Sequence, residues 1–114
     1  MITDRMKAFV CISATLALGM CLFVPRARSA DDKGAKLFHD KCAVCHGDDG
    51  RGTDVGKDLG VVDLHSAAVQ SQSDAQLIDA VTNGKGKMPP NKSRLTAEQI
   101  KMVVAHVREF GKKK

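Results

Sequence analysis

The chain has no tryptophan and no tyrosine, and of its four phenylalanines only Phe38 and Phe110 lie beyond residue 29. Aromatic rings bury more area per side chain than any other group. A small domain with two of them makes a poor core from protein alone, and the composition points to a buried apolar group that is not an amino acid. Cysteine is scarce too. Of four, only Cys42 and Cys45 fall beyond residue 29, and one close pair is no disulfide framework. Strand-like alternation, internal repeats and linkers are absent, which excludes sheet architectures and repeat arrays.

The only long apolar run stands at the N-terminus. Arg5 and Lys7 precede the stretch Ala8 to Val24, Pro25 breaks it, and Ala27-Arg28-Ser29-Ala30 follows. That is the layout of a secretory signal peptide, with small Ala27 and Ser29 at the positions that need them for cleavage after Ser29. The rival is an uncleaved anchor, since about 17 residues is the short limit for crossing a bilayer. Lipidation at Cys21 is disfavoured by the bulk of Met20. We therefore expect a leader over residues 1–29 and one domain over residues 30–114, exported to the periplasm. Membrane contact would come only through partners or an uncleaved leader.

The formal charge of +5 overstates the basicity of that domain, which holds fourteen basic and twelve acidic residues. They are unevenly spread. Residues 31–84 carry five basic against ten acidic side chains, and residues 85–114 carry nine against two. Such a field can orient a carrier toward a charged partner, though an ordinary solvated surface explains it as readily. Lys112-Lys113-Lys114 reads as a solubilising tail. Nucleic-acid binding has no support beyond basicity.

Asp31 to about Lys41 reads as a helix with its aspartates at the favourable end and Ala35, Leu37 and Phe38 on its apolar face. Glycines at 47, 50, 52, 56 and 60 then mark a loop, with Val61, Val62 and Leu64 expected to tuck inward. Ser73 and Gln76 form a capping box for a second helix, buried through Leu77, Ile78 and Val81 and stopped at Asn83-Gly84. Thr96 and Gln99 repeat the box for a third, in which Ile100, Val103, Val104 and Val107 follow helical spacing, Phe110 ends the stripe and Gly111 terminates the helix. The expectation is a small all-α domain of three main helices and glycine-rich loops.

Within it stands Cys42-Ala43-Val44-Cys45-His46. Residues three apart share a helix face, so both sulfurs can reach the two vinyl groups along one porphyrin edge, and His46 can ligate the iron. The spacing is that of covalent c-type haem attachment. Zinc would require further ligands, for which His39 and His65 are the candidates, and a redox dithiol expects a βαβ setting that this chain lacks. Met88, in the loop Gly84-Lys85-Gly86-Lys87-Met88-Pro89-Pro90, is a soft thioether outside any helical stripe and is the candidate for the other face of the iron. Met102 sits on the last helix and reads as packing. His39, His65 and His106 are the rivals for a bis-histidine iron, with His39 and His106 expected at the surface.

With this layout the chain resembles the class I c-type cytochromes, the small monohaem kind. The resemblance runs from Gly34-Ala35-Lys36-Leu37-Phe38 through the Cys42–His46 motif and Met88-Pro89 to Leu95-Thr96 and Phe110. It implies a small cytochrome c fold around one covalently attached haem, with Cys42 and Cys45 as attachment points and His46 and Met88 as axial ligands. It also implies a first and last helix crossing where a glycine meets an aromatic, positions matched by Gly34 and Phe110. The function implied is one-electron transfer between redox partner proteins by a monomer, without catalysis of its own. The alternatives are a haem-bearing subunit of a larger oxidoreductase, or a gas-binding or peroxidatic protein if Met88 does not ligate. One departure stands out. The family commonly places a proline ten to fifteen residues after the histidine, and its carbonyl accepts the second imidazole N–H. Val55-Gly56-Lys57-Asp58-Leu59 has none, so another backbone carbonyl is expected to take that role.

Overall fold

A first helix, α1 (Ser29–Lys41), crosses and packs along the last, α6 (Ala97–Lys112). The structure is a computed structural model and describes residues 29–112. The leader lies outside these residues except for Ser29, as do Lys113 and Lys114. The α1–α6 crossing is close because Gly34 has no side chain: a Cβ there would fall onto the Met102 carbonyl oxygen. Gly34 meets Met102 and the His106 Cβ, whereas Phe110 packs on Phe38, with ring centroids 5.4 Å apart. The glycine and the aromatic thus belong to successive turns of the crossing rather than to one contact, since each helix advances by a turn from Gly34 to Phe38 and from His106 to Phe110.

Both expected capping boxes are formed. Ser73 and Gln76 exchange bonds of 2.9 and 3.1 Å at the start of α5 (Asp74–Asn83). Thr96 and Gln99 do the same, at 2.9 and 3.1 Å, ahead of α6. The aliphatic stripes of α5 and α6 face inward as their spacing predicts, with Leu77, Val81, Ile100, Val103, Val104 and Val107 all buried.

Three short helices were not expected. α2 (Ala43–His46) is the haem motif itself, α3 (Asp54–Asp58) lies in the glycine-rich stretch, and α4 (Ala67–Gln70) precedes α5. The glycines masked α3, which forms because the Thr53 hydroxyl caps it by accepting from the Gly56 N–H at 3.1 Å. Leu64 is buried as expected, but Val62 is half exposed.

Gly111 does not terminate α6, which runs on through Lys112. Its role is close approach: a Cβ there would lie 2.5 Å from the Gln70 side-chain oxygen. Gln70 is in turn a strut, donating to the carbonyls of Leu64 at 2.7 Å and Val107 at 3.0 Å. Arg108 completes the clamp by donating to the carbonyls of Gln70 and Gln72 and to Asp74. Together they hold α4 and the start of α5 against α6.

Candidate functional site

The sequence from Cys42 to His46 winds into one helical turn, with the amides of Cys45 and His46 both donating to the Cys42 carbonyl at 3.2 and 3.0 Å. That turn brings Cys42, Cys45 and His46 to one side, where all three line a cleft of about 650 Å³. The volume is within the range of roughly 300–1,000 Å³ usual for cofactor sites. α3 backs the turn. Thr53 donates from its amide to the Cys45 carbonyl at 3.0 Å and from its hydroxyl to the Val44 carbonyl at 2.7 Å. Gly56 sits so close to the Cys45 carbonyl that a side chain there would overlap it.

The far parts of the cleft come from α5, α6 and the loop between them. Leu77, Val81, Val103, Val104 and Val107 give it aliphatic walls, and Met88, partly buried against the core, lines it from the loop. The Met88 loop is tightly folded: Gly84 takes φ 80°, and Lys85 and Met88 exchange backbone bonds of 3.1 and 3.0 Å. The charged side chains lining the cleft are Lys41, Lys85, Lys87 and Arg94, all cationic.

Burial sets the protonation chemistry. His46 is pushed below its ordinary value by desolvation, which keeps its ring neutral and its lone pair available near neutral pH. The Cys42 thiol is pushed up to about 11 by burial, with Arg94 opposing.

The other three histidines lie elsewhere. His39 pairs with Asp48 at 2.6 Å on the surface. His65 bonds Asp63 at 2.7 Å, holding that carboxyl below its usual range, and packs on Phe110. His106, expected at the surface, instead sits with its ring 5.1 Å from both Phe38 and Phe110, on the side of α6 that meets α1. None of the three lines the cleft. Among the described residues, no group of three or more His, Cys, Asp or Glu side chains gathers as a metal site.

The expected backbone acceptor for His46 is missing among the described residues: its Nδ1 is buried without a hydrogen-bond partner. Residues 55–59 coil into α3, and the carbonyls of Val55, Gly56 and Lys57 are taken by the amides of Leu59, Gly60 and Val61. A buried polar atom left unpaired costs about 1–3 kcal/mol. A half-buried neutral imidazole with its Nδ1 left unpaired, two thiols on one helical face, a thioether and aliphatic walls in one cleft are the donor set and shape that a covalently attached haem requires.

The fold and this cleft define a c-type cytochrome, and the chain belongs to the class I c-type cytochromes. Residues 29–107 match the family described as cytochrome c oxidase, cbb3-type, subunit III. The chain is 37% identical to a cytochrome c6 from Nostoc sp. over 102 residues, which cover 89% of this chain and 90% of that one. It is 34% identical over 80 residues to the cbb3-type cytochrome c oxidase subunit FixP of Bradyrhizobium sp., of which it spans 27%. Among solved structures, the KustC0563 c-type cytochrome superposes with a TM-score of 0.64 at 39% identity, over 68% of this chain and 95% of that one. Haem c, covalently bound, is the cofactor of the family and of this chain.

The sequence reading missed two residues beside the cleft, Asn91 and Arg94. The signal available for Asn91 was a polar residue placed immediately after Pro89-Pro90, where the chain must turn back toward α6.

Proposed function

We propose that this chain is a periplasmic one-electron carrier whose haem is attached through Cys42 and Cys45 and whose iron is ligated by His46 and Met88. The observation that carries the proposal is the convergence of the Cys42–His46 turn and of Met88, far along the chain from it, on one apolar cleft. When bound there, the haem supplies a reversible ferric–ferrous couple. The chain's own part is to hold it. Cys42 and Cys45 would attach it covalently, and neutral His46 and the Met88 thioether would be the iron's protein ligands. Aliphatic side chains of α5 and α6 exclude water.

A thioether is a weak donor that favours ferrous iron and raises the potential. With His46 and Met88 both on the iron, small ligands would have no open site, which is the arrangement a carrier needs and a haem catalyst does not. Residues 1–29 act as the export leader of the domain over residues 30–114. Val44, 71% exposed, and the cationic residues of the cleft form the surface that meets donor and acceptor proteins. Optical spectra of the oxidised protein and of Met88→Leu test the ligation. The wild type is expected to show the weak long-wavelength sulfur-to-iron band and the variant to lose it; a wild type without that band rules Met88 out.

A second reading has a specific basis. The family match and the FixP relative are named as parts of a cbb3-type oxidase, so the chain can be read as a haem-bearing subunit held in a larger complex. Size exclusion of the native protein separates the two readings. A carrier elutes alone near the mass of its domain plus haem, and a subunit elutes with its complex.

A further inference from the structure

We propose that Asn91 is the positioning residue for the Met88 sulfur and that Arg94 fixes the orientation of the Asn91 side-chain amide; the inference rests on Met88 ligating the iron. Asn91 is buried to 3% exposure, where the other buried side chains of the core are apolar. It joins three segments. Its backbone amide donates to the carbonyls of Val81 and Thr82, at 3.1 and 3.2 Å, the free carbonyls at the end of α5. Its side-chain Nδ2 donates to Val81 again at 3.1 Å and to Pro89, the residue after Met88, at 3.2 Å. Its own carbonyl accepts from the amides of Arg94 and Leu95, both at 2.9 Å, at the entry to α6.

The remaining group, Oδ1, accepts from Arg94 Nη2 at 2.8 Å. A guanidinium only donates and a backbone carbonyl only accepts. With Arg94 on one side and two carbonyls on the other, a single orientation of the amide satisfies all three contacts. Turned over, it would set N–H against N–H and oxygen against oxygen at every one. Arg94 thus selects the orientation in which Nδ2 holds Pro89.

The consequence falls on Met88. Its own carbonyl is held by the Lys85 amide and its amide by the Lys85 carbonyl, at 3.1 and 3.0 Å, while the next carbonyl along the chain is held by Asn91. The backbone is therefore pinned on both sides of the side chain. A thioether ligand is weak, so how often it occupies the iron depends on how narrowly its backbone confines it.

The test compares wild type with Asn91→Asp, Arg94→Leu and Arg94→Lys. The carboxylate of Asn91→Asp keeps the Arg94 contact and forfeits both donations. We expect it to speed carbon monoxide binding to the reduced protein by about tenfold or more. We also expect the sulfur-to-iron band to vanish on heating well before the helical circular dichroism. Arg94→Leu should move both readouts the same way by less, and Arg94→Lys, which keeps a donor, should restore them. A merely structural role would shift band and helix signal together. Unchanged carbon monoxide rates, with band and helices lost in step, overturn the proposal. Should Asn91→Asp fail to accumulate, Arg94→Leu, altered at an exposed side chain, decides by the same readouts. A wild type without the sulfur band overturns the ligand assignment along with this proposal; a wild type with the band and indifferent variants overturns this proposal alone.

Discussion

At the scale of single residues, charge pairs and polar contacts set small, separable terms. His39 is fully exposed, and Asp48 raises it above its ordinary 6.5 by hydrogen bond and by charge. A raised folded value means the pair contributes in full below the ordinary imidazole value, and the contribution is lost as pH rises through the folded one. His39→Asn should therefore lower the denaturant midpoint of the protein at about pH 5.5 and leave it unchanged at about pH 8.5. An equal effect at both pH values would show that the pair is not the cause. Gln70 is a different case, because its amide serves two carbonyls, of Leu64 and Val107. Gln70→Ala should cost about 1–3 kcal/mol in equilibrium unfolding, and a neutral result would mean that water replaces it.

At the scale of elements, α1 and α6 cross in close contact, and Gly34 permits it. Alanine in an exposed helix gains about 1 kcal/mol over glycine. Here the added methyl would meet the Met102 backbone oxygen, which cannot turn aside as a side chain could. Overpacking of this kind costs about 1–3 kcal/mol. Gly34→Ala should thus be net destabilising by about 1–2 kcal/mol, with a thermal midpoint below wild type, and a stabilised variant would refute the close crossing. The three long helices were legible in the sequence because each carries its own signals. Two capping boxes and the 3.6-residue apolar spacing of α5 and α6 are local, and locality is what a sequence displays. That Cys42, Cys45, His46 and Met88 share one cleft could be anticipated for a similar reason, three of them falling in one turn and Met88 in a loop no stripe explains. Gly111 was misread because a glycine at a helix end has two uses, left-handed geometry and close approach. Only the position of Gln70, forty-one residues away, decides between them. Short α3 was hidden by its glycines, and the missing acceptor for His46 follows from α3, so the two misses share one cause. His106 was misplaced because the polar side of α6 is also the side on which α1 lands. Asn91 and Arg94 were invisible as a pair because their contacts join three segments.

At the scale of the whole molecule, the Phe38 ring and a set of aliphatic side chains line a cleft of about 650 Å³. Cavity surfaces that the protein cannot close cost about 24 cal/mol per Å³. If a third or more of this volume stayed empty, the cost would be comparable with the roughly 5–15 kcal/mol that stabilises an entire small domain. The chain expressed as Cys42→Ala and Cys45→Ala, and kept free of haem, should therefore lose fixed tertiary packing. Weak near-ultraviolet dichroism, broad thermal unfolding and binding of a hydrophobic dye are expected, and a sharp cooperative transition would show that the protein core suffices. On the proposed site, the placement of the two attachment cysteines and the two iron ligands bears on the order in which the protein would be assembled. Cys42, Cys45 and His46 are presented by one turn of chain, which a polypeptide can offer before the rest of the domain has folded. Met88 arrives only when α5 and the loop after it are seated on α6. Under the proposed ligation, attachment would come first and the Met88 sulfur last, and its band would then serve as a receipt for completed folding, separate from the mere presence of colour.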